Sequence, residues 1–137
     1  MNVLSRIPVW TNVFFLIPLI VALRFDLPFL ALYIGLVTVV STLYHIFREY
    51  GMSWLFLIFA IGDVLLAIIL VMWGIGLLFA SLPFDIFALA ALIFFVLGML
   101  AFRKQHHHES YHAYHGAWHL CASLGIAMCQ LSFLLHH

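Results

Sequence analysis

WLFLIFAIGDVLLAIILVMWGIGLLF, residues 54–79, carries a single charge, Asp63, in 26 residues. About 20 apolar residues of helix cross the roughly 30 Å of hydrocarbon in a bilayer, so this run is long enough to span with some tilt. It does not alternate with a period of two. Because lipid offers the backbone no partners, every N–H and C=O must be satisfied within the segment, which selects a helix over a barrel strand.

Working outward, four further apolar runs are delimited by the few charges present. They are Ile7–Leu23, Leu27–Phe47, Phe84–Phe102 and Ser110–Leu135. No small-x-small cleavage site follows the first run, so it reads as a span and not as a signal sequence. The expectation is an all-α, polytopic transmembrane bundle of about five spans forming one domain over residues 1–137. Composition agrees: 67% of the 137 residues are hydrophobic and 7% charged, with no net charge, against roughly 25% charged in a soluble domain. With five Lys+Arg and no basic stripe, nucleic acid is excluded as an expected partner. Cys121 and Cys129 lie eight residues apart in one helical run, about 12 Å, too far to pair with each other. Arg6, Arg48, Arg103 and Lys104 fall at one side of the spans and Arg24 alone at the other, which places the amino terminus in the cytoplasm and the carboxyl terminus outside.

An ionisable group at the bilayer centre costs roughly 2.5–3.5 kcal/mol on insertion scales and marks a functional position by default. Asp63, about 15 Å into its helix, is such a group. Ser41 and His45, four residues apart, share a face of the second helix. The last run carries Tyr111-His112-Ala113-Tyr114-His115-Gly116-Ala117-Trp118-His119, in which His115 and His119 stack one turn apart. Two histidines at i and i+4 bind one metal ion from a single helix. Successive spans run in opposite directions, so His45, Asp63, His115 and His119 all fall in the cytoplasmic half. Three imidazoles with an open fourth position describe a catalytic Zn²⁺ site, and the same donors permit Fe²⁺ or Cu²⁺. Tyr44, Trp54, Tyr111 and Trp118 are expected as anchors or pocket walls. His106–His108, His136 and His137 are assigned no chemistry.

Ser41-Thr-Leu-Tyr-His45 at the end of the second span, Asp63 in the third and His115-Gly-Ala-Trp-His119 in the last resemble the CREST superfamily. That superfamily groups alkaline ceramidases, progestin/adipoQ receptors, the Per1 family and the myomaker family. The resemblance implies a zinc ion held by His45, His115 and His119, with Asp63 and Ser41 beside it and no counterpart for His112. It implies a hydrolase acting on a lipid amide such as an N-acyl lipid, with fatty acid as product, in which Asp63 acts as general base and Ser41 supports the oxyanion. It equally admits a non-catalytic receptor, fusion or lipid-binding protein in which the metal is a staple. Members of the superfamily typically have seven spans, so five make a truncated bundle with one wall open to lipid or to a second copy of the chain. A haem held by His45 with His115 or His119 is the redox alternative, and it leaves Asp63 without a role.

Overall fold

The computed structural model describes residues 7–51, 53–104 and 111–137. Arg6, used in the charge count, His106–His108 and Ser110 lie outside them. Among the described residues every regular element is helical: α1 (Ile7–Thr11), a 3₁₀ segment (Asn12–Phe15), α2 (Leu16–Arg24), α3 (Pro28–Tyr50), α4 (Ser53–Ala80), α5 (Ile86–Lys104) and α6 (Tyr111–His136). Four of these, α3 to α6, are long and apolar enough to cross a membrane. The first run differs from the expected uninterrupted span. Its apolar stretch, Pro8–Arg24, matches the expected run in length but is broken at the 3₁₀ segment and falls short of the four long helices. Pro18 is the physical reason, since it has no N–H to return to the Phe14 carbonyl and its ring crowds that group.

The helix ends follow local chemistry. Asp26 adopts φ 53°, a left-handed conformation that Asp tolerates, and the Leu27 N–H closes back on the Ala22 carbonyl at 2.9 Å. This is a Schellman stop. Pro28 then opens α3, where its missing donor is harmless, and Gly51 ends that helix at φ 69° with its N–H on the Phe47 carbonyl. Asp85 caps α5: its Oδ1 accepts the Ala88 N–H at 2.8 Å.

Helix α6 is the axis of the bundle. It packs on α1, the 3₁₀ segment, α2, α4 and α5, and half of its most apolar window is buried, against 6% for α4. Such a helix, apolar all round and exposed along most of its length, needs lipid around it. The bundle core gathers Phe15, Ala22, Leu30, Ile34, Leu70 and Ile126. Small residues let α5 approach α6 closely. A Cβ on Gly125 would stand 2.8 Å from the Phe95 ring, and one on Gly98 3.1 Å from the Trp118 ring. Both cysteines are free.

At the end of the bundle away from the histidine-rich face, Asp85 ties three elements together. Its Oδ2 accepts the Ser132 hydroxyl at 3.0 Å and lies 3.3 Å from His136 Nε2. The Ala88 N–H, helped by Ser132, the Phe87 N–H and His136, holds the Asp85 carboxyl below the usual carboxylate range against a smaller opposing effect of desolvation. A carboxyl depressed in the folded state adds stability above its unfolded value, near 4, and loses it as pH falls through the folded one. Asp85→Asn is therefore expected to flatten the acid limb of detergent-solubilised thermal unfolding below about pH 4. Gly125→Ala is expected to lower stability by about 1–3 kcal/mol through overpacking. Gly76→Ala, with nothing within 4 Å of its added methyl, serves as the neutral control in the same unfolding measurement.

Candidate metal centre

Three imidazoles meet where the carboxyl-terminal part of α3 faces the first turns of α6. His45, His115 and His119 are all buried, and each offers a ring nitrogen such that the three lie within 4.8 Å of one another. His45 Nε2 and His115 Nε2 are 3.1 Å apart. Two bare nitrogens at that distance repel, so in the metal-free chain one of them carries a proton. A metal can take that proton's place: in a tetrahedron with bonds of about 2.0–2.1 Å, ligand nitrogens stand roughly 3.3–3.4 Å apart. The three residues can thus hold a metal ion. The rings crowd one another edge to face, which leaves no room for a macrocycle between two of them.

The proton on the third imidazole is fixed by helix α1. Thr11 Oγ1 donates its only hydrogen to the Pro8 carbonyl at 3.0 Å. It also lies 3.2 Å from His119 Nδ1 and, with its hydrogen committed, can only accept there. His119 is therefore protonated on Nδ1 and keeps the Nε2 lone pair free. A donor hydrogen bond of this kind fixes tautomer and ring angle in metal-ligating histidines. Phe15 closes the other side, edge-on to the His119 ring at 6.0 Å.

Beside His119 lies a cavity of about 30 Å³ lined by Ser41 and Asp63. That volume admits a water molecule, and Ser41, Asp63 and His119 provide the polar partners such a water requires. Ser41 Oγ is buried without a hydrogen bond of good geometry, the Asp63 carboxyl on α4 being its polar neighbour. Asp63 is only partly buried, because it also faces a larger cleft of about 720 Å³ that reaches His115 and Trp118 on α6 and Met99 on α5. The carboxyl is not among the clustered donors and lines the small cavity together with His119.

The structure brings Ser41, His45, Asp63, His115 and His119 to one place. His112 does not join the cluster; its ring packs on Tyr111. Tyr44, Tyr111 and Trp118 are walls of the cleft, as expected. Sequence reasoning missed Thr11 and the Pro8 carbonyl. A hydroxyl one turn into an apolar run was the available signal, and nothing in the spacing ties it to a residue 108 positions away. It also gave no chemistry to His136, which faces Asp85, and none to His137, whose Nε2 lies 3.2 Å from the Ala80 carbonyl.

Replacing Thr11 with Val removes the acceptor while keeping the shape, and is expected to weaken metal affinity roughly 10- to 100-fold. Thr11→Ser should retain it. Competition of the purified protein against a chromophoric chelator measures both. Comparison of the chain with models of known protein families, with curated proteins and with solved structures finds no match in any of the three.

Proposed function

We propose that the protein is a zinc-dependent intramembrane hydrolase that cleaves a lipid amide. The observation that carries this is the meeting of three buried imidazoles with a carboxyl and a serine hydroxyl beside a water-sized cavity, all within the lipid-exposed bundle. An all-nitrogen set of three donors suits zinc in a catalytic, open coordination. When bound, zinc supplies Lewis acidity, polarising a carbonyl and lowering the pKa of water to about 7. Asp63 takes the proton of the attacking water as general base. Water oxygen adds to the carbonyl carbon, the C–N bond breaks, and the proton held by Asp63 passes to the departing nitrogen. The products are a fatty acid and an amine. Ser41 Oγ, whose polar neighbour is Asp63, turns its hydrogen to the oxyanion that develops on the carbonyl once Asp63 has taken up the proton of water.

Support for a lipid substrate comes from the 720 Å³ cleft, within the range of about 300–1,000 Å³ for a small-molecule site. Apart from its loop connection, α5 packs against α6 and not along α4, so the cleft between α4 and α5 opens sideways. We place the amino terminus in the cytoplasm and the metal centre in the cytoplasmic half: Arg48, Arg103 and Lys104 lie at the end of the bundle that holds His45 and His115, and Arg24 at the other. The Ser-x-x-x-His, Asp and His-x-x-x-His elements sit on the helices that a CREST resemblance requires, and we propose that relationship on this ground.

A non-catalytic staple is favoured by one observation: α3 does not pack closely along α6, so a metal between them would add much of their mutual hold. Asp63→Asn separates the two. Elemental analysis of the detergent-purified protein is expected to give about one zinc per chain in wild type and in Asp63→Asn, and none in His115→Ala. Fatty-acid release from labelled N-acyl lipids is expected to fall by about 10²- to 10⁴-fold in Asp63→Asn. A zinc-loaded wild type that releases no fatty acid at any chain length would sink the hydrolase and leave the staple.

A further inference from the structure

We propose that the mouth of the α4–α5 cleft is an anion site built on Arg48, and that the lipid it admits is a single-chain N-acyl compound whose head group bears a carboxylate or phosphate a few bonds from the amide. This rests on the hydrolase reading of the cleft and names its substrate class.

Polarity in the cleft is graded along one axis. Arg48, Tyr44 and Tyr111 line one end, His115 and Asp63 come next, and beyond Asp63 the α4 wall is apolar as far as Met72. From Asp63 to Met72 the helix rises about 13 Å, enough for roughly ten extended chain carbons, after which the sideways opening lets a longer chain continue into lipid. The charged end is close to the chemistry, since Arg48 lies three residues, about 4.5 Å of helix rise, beyond His45. Arg48 is exposed at that end, with the Tyr111 ring beside it, so its charge is accessible to an anionic head group entering the cleft.

Arg48 is held in a usable orientation. Its guanidinium carbon sits 3.9 Å from the centroid of the Tyr111 ring, and that ring in turn stacks on His115 at 5.1 Å. One guanidinium N–H reaches the Tyr111 hydroxyl, and of the five donors the rest remain to meet a carboxylate or phosphate, which a guanidinium binds in bidentate fashion. Among the described residues no carboxylate lies within ion-pair distance of Arg48. A cation serving only to orient the chain in the membrane needs neither the stack nor a place in the cleft wall.

The test is equilibrium binding of radiolabelled N-oleoylglycine, N-oleoylethanolamine and N-oleoylethanolamine phosphate to the zinc-loaded protein in phosphatidylcholine nanodiscs. Wild type, Arg48→Gln, Arg48→Lys and Asp63→Asn are compared. Wild type and Asp63→Asn should bind both anionic lipids about ten- to a hundredfold more tightly than the neutral one. Arg48→Gln should lose that preference with little change in binding of the ethanolamide, and Arg48→Lys, which keeps the charge that orients the chain, should lose most of it. Preference for glycine alone would assign a carboxylate head, and for the phosphate alone a phosphorylated one. Equal affinities in wild type, or a preference that survives in Arg48→Gln, would overturn the proposal. So would a cleft that binds no probe because a second copy, revealed by cross-linking between α4 residues, covers it. Binding with the expected preference but without turnover would refute hydrolysis and leave the anion site standing.

Discussion

The 3.1 Å approach of His45 to His115 is the contact on which the rest of the site depends. These two side chains belong to helices that hardly pack on each other directly and are joined through shared neighbours, α1, the 3₁₀ segment, α2 and α4. Imidazoles do not gather in hydrocarbon for their own stability. A buried polar group without a partner costs a few kcal/mol, and three such rings from two helices share too few protons to satisfy one another fully. An arrangement of this kind is held by the surrounding bundle and becomes favourable when a cation accepts all three lone pairs.

Helix α1 and the 3₁₀ segment give that arrangement its geometry. The break at residues 12–15 turns Asn12 inward, where its amide donates to Thr42 at 3.1 Å, while Thr11 reaches His119. Two consecutive polar residues, Asn12 bonded to α3 and Thr11 to α6, thereby lock the amino-terminal segment against both histidine-bearing helices. A straight first span would present Thr11 and Asn12 about 100° apart on a regular helix, and the 3₁₀ turn alters that relation. The proline that breaks the first run thus helps to build the second layer of the site.

The helical architecture and the clustering of three histidines were legible because both are written in local patterns. Apolar length gives the spans, an i, i+4 pair puts His115 and His119 on one face, and antiparallel succession places His45 and Asp63 at the same depth. What was not legible depends on distance in sequence or on backbone detail. Thr11 with His119, Arg48 with Tyr111, and Asp85 with Ser132 and His136 are pairings between different helices. No periodicity constrains their partners. The interruption of the first run was signalled by Pro18, but a proline inside a transmembrane helix is often tolerated, so its consequence required the structure.

Openness on one side decides what kind of chemistry such a small bundle can serve. A closed bundle of this size has no interior for an acyl chain, and here the interior is spent on the histidine cluster and on a cavity of about 30 Å³. On the proposed hydrolase reading, the chain of a lipid substrate lies against the bundle and not inside it, along a wall that membrane lipid would otherwise cover. Any lipid can wet that wall, so apolar contact alone gives little discrimination. In that reading selectivity is set at the polar end, where Arg48 and the two tyrosines stand, and rate by Asp63 and Ser41 further in. In the proposed hydrolase, recognition and reaction are thus laid out along one cleft shared by α3, α4 and α6, with Arg48 about two turns of α3 from Ser41.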